Sequence, residues 1–369
     1  MQGSLAPKKQ IVPLFIAVSC VGCWLNPPDP PAIRSITSAD AIKVFSHRAG
    51  RGNWPENSYL GLKRSVEHQI DGIEIDINFT KDNQIIVHHN HYLDPRPSNG
   101  GQHTAPCYLN FQTQRRFIFD MHLDELTKTG KDAQISCHQN ELSFADKNRS
   151  AKQQQIAADD PLARILTLSE ALEITEEALS KQPNAYQKRL EILIEIKQGN
   201  EDPRSKIRIG DYSKSRREKL IDNLTKVIND SKLAKQITIQ SFHLEWIKHI
   251  KQRQPHLKIA YLVLPRLFLH RPSHLNEHIK TVIADSLELN AVAPYHPVTM
   301  DPIFGVFPIS IIDPLQVMHI QNQGIRVIPW TANKEEDWLR LAGWGVNGII
   351  TDYPVQLAKW LKNHLRSGR

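Results

Sequence analysis

The chain has 369 residues, of which 40% are hydrophobic and 23% charged, and its formal net charge is +7. That composition excludes a largely disordered chain, and the length leaves room for one large domain or two ordinary ones. The positive balance favours anionic partners, but no lysine–arginine block with interleaved aromatics occurs, so no nucleic-acid partner is expected.

The N-terminus reads as a targeting segment. Lys8 and Lys9 precede an apolar run over 11–18, and small residues follow as far as Cys23. The run is too short to span a bilayer comfortably, so export is expected rather than a transmembrane helix. "AVSC" and "CVGC" each resemble a lipoprotein cleavage site, although Ala17 and Cys20 stand where a leucine-like residue is usual. Lipidation of Cys20 or Cys23 would tether the chain to the cell envelope; an ordinary cleaved signal is the alternative. Residues 26–31 (NPPDPP) read as an extended spacer, so 1–31 form leader and spacer and 32–369 the folded domain. Cys107 and Cys137, thirty residues apart, could pair in an exported chain, and two unlinked thiols fit equally.

Candidate strands follow at 42–45, 72–79, 84–88, 191–196, 236–240, 257–264, 291–293, 325–330 and 348–351. Helical patterns lie at 57–69, 168–179, 214–235, 313–322 and 334–342. Strand and helix in alternation predict a parallel sheet with helices outside. Nine strands are one more than a (β/α)8 barrel needs, so one lies outside it, with 291–293 the weakest candidate. Residues 95–160 are polar and break the rhythm, which reads as an insertion after the third strand. Helix returns at 161–171, with Thr167 or Ser169 as its cap.

The chemistry-bearing residues stand at strand ends. The first strand runs into His47-Arg48. In the second, Glu74 and Asp76 are two apart and share a face, while Ile73, Ile75 and Ile77 take the other. Paired carboxylates repel unless a cation lies between them, and hard oxygen ligands suit Mg2+ or Ca2+. A solvent-facing edge strand explains the same pattern. The third strand runs into His88-His89-Asn90-His91, and imidazole is the natural acid or base near neutral pH. The fourth strand places Glu195 and Lys197 on one face, as metal and anion ligands or as a mutual ion pair. In a barrel these ends converge on one mouth. The set suits phosphodiester hydrolysis, with a metal, an acid, a base and cations for the phosphate.

"HRAGRGNWPENS", "GIEIDINFTKDNQIIVHHNHYLD", "LIEIK", "QSF", "IPWTAN" and "GVNGIITDYP" resemble, in this order, the signature blocks of the glycerophosphodiester phosphodiesterase family. The resemblance covers roughly residues 41–365 and is weakest over 95–160. It implies a TIM (β/α)8 barrel with an insertion after the third strand. It also implies a divalent metal, Ca2+ or Mg2+, and cleavage of a small glycerophosphodiester to glycerol 3-phosphate and an alcohol. The implied route is attack by the glycerol 2-hydroxyl and a cyclic phosphate. By position, His47 and His89 are the implied acid/base pair, Arg48 and Lys197 phosphate ligands, and Glu74, Asp76 and Glu195 metal ligands. Trp330 is implied to stack on the glycerol carbons. Glu56, Asn57 and Asn90 are further candidates at the mouth, Glu56 near the metal. Two positions depart from the family pattern. Ala49 replaces a glycine, which strains the loop if φ is positive unless Gly50 absorbs the turn. Asn90 replaces an aspartate, so the group beside His89 is uncharged. Two other functions are kept open. One is a phosphodiesterase on lysophospholipids or intact lipids, served by insertion aromatics Tyr108, Phe111, Phe117 and Phe119. The other is a non-catalytic surface lipoprotein on the same barrel.

Overall fold

The computed structural model describes residues 42–95, 107–110, 112–128, 134–137, 164–197, 213–263, 291–294 and 312–366. The leader and spacer, Phe111 and all of 138–163 lie outside them. Eight strands run parallel: β1 (Lys43–Ser46), β2 (Gly72–Phe79), β9 (Glu191–Ile196), β10 (Ile237–Ser241), β11 (Lys258–Val263), β12 (Ala291–Pro294), β13 (Arg326–Val327) and β14 (Gly348–Thr351). Neighbours pair in that order from β1 to β13, and β14 pairs with β1. Backbone N–H groups of Asn347 and Ile350 donate to the carbonyls of Val327 and Pro329, which brings β14 against the segment around β13. This is the TIM (β/α)8 barrel. Helices α1 (Tyr59–Glu67), α3 (Leu168–Ser180), the short α4 (Asn184–Arg189), α5 (Lys214–Asp230), α6 (Leu244–Arg253), α7 (Pro314–Gln321), α8 (Glu335–Gly343) and α9 (Pro354–Arg366) pack outside. Among the described residues no helix is long and apolar enough to cross a membrane.

The period-2 pattern of β2 explains how the barrel is layered. Ile73, Ile75 and Ile77 join the large core beneath the helices, with Leu62, Val66, Leu172 and Leu224. The opposite face looks into the barrel, where Phe45, Leu193, Ala260, Ile328 and Ile350 form a small inner core. Phe45 fits because β2 and β14 both begin with glycine. A Cβ on Gly72 would stand 2.2 Å from its ring and one on Gly348 2.7 Å. Caps begin the helices at defined places. Thr167 accepts from Glu170 N while Glu170 bonds back to Thr167 N, a capping box for α3. Asp313 and Gln316 do the same for α7, with Pro314 in the first turn.

Three expectations change. The strand expected at 291–293 is a full barrel strand. The surplus strand is the third one, β3 (Ile85–Val87), which pairs antiparallel with β2, Ile77 opposite Val87 and Phe79 opposite Ile85. Five residues, 80–84, join them, far fewer than a parallel crossover needs. The insertion therefore lies between the second and third barrel strands. Thirdly, the helix expected from residue 161 starts at Leu168, because Leu166 and Thr167 form β8 and pair with β3.

The insertion has its own core. β4 (Tyr92–Leu93) pairs with β6 (Arg116–Phe117), and β5 (Cys107–Leu109) with β7 (Ile135–Cys137). Leu93, Leu109, Ile118, Met121, Leu126 and Ile135 pack with Ile86 and the short helix α2 (Leu123–Thr127). A disulfide joins Cys107 to Cys137. It closes a 30-residue loop, for which chain entropy gives about 3–4 kcal/mol. Reduction, or Cys107→Ser with Cys137→Ser, is expected to raise hydrogen exchange in β5 and β7 while leaving β9 and β10 protected. Tyr108, expected to be an exposed aromatic, is buried; Phe117 and Phe119 are half-buried beside Tyr92, with Phe117 and Phe119 centroids 5.6 Å apart.

Candidate active site

The C-terminal ends of β1, β2, β9, β10 and β14 supply the polar groups of one mouth. Glu74 and Asp76 stand on the inner face of β2, and Glu195 lies beside Asp76 across the β2–β9 pair. All three are buried, and a carboxylate oxygen from each falls within 4.8 Å of the other two. Burial pushes Glu74 well above the ordinary carboxylate range, and the neighbouring Asp76 and Glu195 push it further. Burial likewise raises Glu195 to about 7, with Asp76 adding and Lys197 opposing. Burial acts on Asp76 in the same sense, but His89, Lys197, Arg48 and the Asn57 amide outweigh it, so Asp76 stays well below its ordinary value. Three buried carboxylates of which two resist ionisation form a site short of positive charge. Three hard oxygen donors at this spacing fit Ca2+ or Mg2+.

The other expected residues surround this cluster. Lys197 Nζ lies 2.7 Å from Glu195 Oε1 and 3.5 Å from Asp76 Oδ1. Arg48 N donates to Glu74 Oε2 at 2.7 Å, and Arg48 Nε stands 3.6 Å from Asp76 Oδ2. Asn57 brackets Asp76: its Nδ2 donates to Oδ2 at 2.9 Å, and its Oδ1 accepts from Asp76 N at 3.2 Å. Glu56, expected near the metal, pairs with Arg48 Nη1 at 3.2 Å and Arg51 Nε at 3.4 Å, while the three converging carboxylates are Glu74, Asp76 and Glu195. Trp330 packs on the inner core and meets Phe242 edge-on at 5.4 Å.

The turn after β1 carries His47 and Arg48. Arg48 and Ala49 have φ of 50° and 60°, and Gly50 follows at 87°. The alanine thus occupies the left-handed region as well as the glycine, at a cost of about 1–2 kcal/mol. His47 Nδ1 lies 2.6 Å from Asp352 Oδ1. A carboxylate only accepts, so Nδ1 carries the proton and Nε2 is left free. Burial lowers the His47 pKa, and Asp352 counters it. Asp352 is in turn fixed by Asn333, whose Nδ2 donates to Oδ2 at 2.8 Å and whose Oδ1 accepts from Asp352 N at 2.9 Å. Burial would raise Asp352, but His47, Arg51 and Asn333 bring it down to about 2.

His89 follows the hairpin strand β3 rather than a barrel strand, yet it reaches the same mouth. Burial and then Lys197 hold its pKa well below the ordinary value, with Asp76 opposing. Its Nδ1 lies 2.9 Å from Asn90 Oδ1, so Nδ1 donates and Nε2 is again the free nitrogen. His88 is a separate case. It is buried, its ring nitrogens have no hydrogen-bond partner among the described residues, and burial pushes it down to about 4. Its neighbour His91 donates from Nδ1 to Asn78 Oδ1 at 3.2 Å.

Several site residues were not expected from sequence. Asp352 and Asn333 lie inside the blocks "TDYP" and "WTAN", and Gln240, which donates to Glu74 Oε1 at 3.2 Å, lies inside "QSF". A lone polar residue at a strand end was the available signal. Arg51, 3.9 Å from Asp352 Oδ1, had only its neighbourhood to mark it.

The glycerophosphoryl diester phosphodiesterase family model matches residues 47–356. The "Glycerophosphodiester phosphodiesterase" of Caldanaerobacter subterraneus subsp. tengcongensis is 28% identical over 314 residues, which is 85% of this chain and 95% of the relative. Among solved structures, a Silicibacter pomeroyi protein provisionally named glycerophosphoryl diester phosphodiesterase superposes with a TM-score of 0.65 at 20% identity, covering 88% of this chain and 95% of that one. An Oleispira antarctica phosphodiesterase solved in complex with the product sn-glycerol-3-phosphate gives a TM-score of 0.55 at 18% identity, with 88% and 97% covered. At these identities the structural likenesses speak to fold.

Proposed function

Because this chain belongs to the glycerophosphoryl diester phosphodiesterase family, we propose that it hydrolyses small glycerophosphodiesters to glycerol 3-phosphate and an alcohol, with a divalent cation and a pair of histidines. The observation that carries this reading is the meeting of the buried triad Glu74, Asp76 and Glu195 with two imidazoles, each oriented through Nδ1.

Glu74, Asp76 and Glu195 would hold Ca2+ or Mg2+, which supplies positive charge against a phosphoryl oxygen. Lys197 and Arg48 bring further positive charge to the same anion. Trp330 and Phe242 offer an apolar wall for the glycerol carbons. His89, kept neutral by burial and Lys197, takes the proton of the glycerol 2-hydroxyl at Nε2. The 2-oxygen bonds to phosphorus as the bond to the alcohol breaks. His47, whose imidazolium Asp352 stabilises, gives its proton to the departing alkoxide. Water then opens the cyclic phosphate with the roles reversed. His47 takes the water proton, the bond from phosphorus to the 2-oxygen breaks, and His89 returns a proton to that oxygen. Asp352→Ala frees the His47 ring to adopt the wrong tautomer, and kcat is expected to fall about tenfold or more, with KM for glycerophosphocholine little changed in steady-state assays.

Export and attachment through a lipid on Cys20 or Cys23 belong to the same reading. The Cys107–Cys137 disulfide supports an oxidising compartment. The convergence of histidines and carboxylates weighs against a non-catalytic scaffold. The test is glycerol 3-phosphate release from glycerophosphocholine by the purified chain with Ca2+, with Mg2+ and with EDTA. Metal-dependent release is expected. A folded protein silent with both ions refutes the reading.

A further inference from the structure

Three residues of β2 share its inner face: Glu74, Asp76 and Asn78. The first two belong to the carboxylate cluster. Asn78, fully buried, turns its amide to the segment 88–91. Its Nδ2 donates to the carbonyls of His88 at 2.5 Å and Asn90 at 3.2 Å, the residues on either side of His89. Its Oδ1 accepts from His91 Nδ1 at 3.2 Å. One side chain thus ties three of the four residues in the segment.

The segment needs such a tie. It leaves β3 after Val87 and does not join β4 until Tyr92, so the strand ladders do not continue through it. Its other anchors are at its ends: His88 N donates to Asp76 O, and Ile118 N donates to His91 O. The His89 ring is oriented by Asn90 Oδ1, and the Asn90 backbone is held by Asn78. Only an amide meets the demand at this position. A carboxylate of the same size has no donors for two carbonyls and adds a fourth carboxylate on a face that already carries a crowded cluster of three. An aliphatic residue leaves both carbonyls and His91 without it.

We infer that Asn78 is a positioning residue for His89, setting where the imidazole meets the glycerol 2-hydroxyl. This rests on the phosphodiesterase reading for its catalytic consequence, though not for its structural one. The experiment compares the full chain with Asn78→Ala, Asn78→Ser and His91→Ala in three measurements. In steady-state assays on glycerophosphocholine, Asn78→Ala is expected to lower kcat about 10²-fold, the scale of a 1 Å misplacement, with KM changed by less than about threefold. Asn78→Ser, which keeps one donor, is expected to lie between it and the parent, and also serves if Asn78→Ala does not fold. His91→Ala keeps both amide donors and is expected to stay within about threefold of the parent. In calorimetry with Ca2+ or Mg2+ alone, the affinity of the Asn78 variants is expected to be unchanged. In hydrogen exchange, the 88–91 amides are expected to lose protection while β9 does not. A kcat that survives in both Asn78 variants overturns the inference. So does a parallel loss of metal affinity, or unaltered exchange in 88–91. If the parent chain itself turns nothing over, the functional reading fails, and the exchange measurement still decides whether Asn78 holds the segment.

Discussion

His47→Ala and His89→Ala are each expected to lower kcat for glycerophosphocholine by about 10²–10⁴-fold, the usual worth of a positioned acid or base. The fold should survive both changes. Removing the His47 ring leaves Asp352 bonded to Asn333 and near Arg51, so no buried carboxylate is orphaned. Removing the His89 ring frees the Asn90 amide oxygen, while Asn78 still holds the segment backbone. Circular dichroism and Tm should therefore stay near those of the parent. The two variants should differ in one respect. An activated diester, with a nitrophenol as leaving group, needs no acid for its departure. His47→Ala should recover much of its lost rate on that substrate for the first step, and His89→Ala should not. Equal recovery in both variants would reverse or dissolve the division of roles. Substantial turnover of glycerophosphocholine by either alanine variant would remove that histidine from the mechanism.

How much of this arrangement was legible in the sequence depended on how local each signal was. Glu74 and Asp76 could be placed together because a strand has period 2 and three isoleucines fixed its other face. His47, Arg48, Glu195 and Lys197 could be brought to them because parallel barrel strands end at one mouth. The third strand misled because its residues have a buried strand's composition whichever way it runs. The decisive fact was the five-residue link at 80–84, which is a matter of length rather than residue type. Where the Glu56 carboxylate points was not legible for a different reason: Arg51 as well as Arg48 pairs with it. Asp352 was invisible as a partner because it stands 305 residues from His47. Asn78 shared a face with the two carboxylates all along. Its role needed the path of the chain after β3, which no periodicity encodes.

The carboxylate cluster predicts a stability that depends jointly on pH and metal. Glu74 and Glu195 are raised by burial and by Asp76, and Glu74 by Glu195 as well, so in the metal-free folded chain they keep protons that the unfolded chain releases above the ordinary carboxylate value. Their contribution to stability therefore falls as pH rises from near that value to about 7, where Glu195 ionises in the fold. A divalent cation replaces those protons as the neutralising charge. The gain in Tm on adding Ca2+ or Mg2+ is accordingly expected to be small near pH 5 and larger near pH 8. At about 100 times Kd the metal contributes ~2.7 kcal/mol, enough for a shift of roughly 3–4 °C in a protein of this size. EDTA should abolish the gain. Glu74→Gln separates repulsion from ligation. It removes one charge, and Gln240, whose Oε1 is otherwise unpartnered, can turn its amide to meet the new donor. The metal-free variant is expected to melt about 2 °C or more above the metal-free parent near pH 8, while gaining little from either ion and losing turnover. The site is then held at a cost to the empty protein that only its cation relieves. A metal-induced Tm shift that is absent at pH 8, or undiminished in Glu74→Gln, would move the cation away from these three carboxylates.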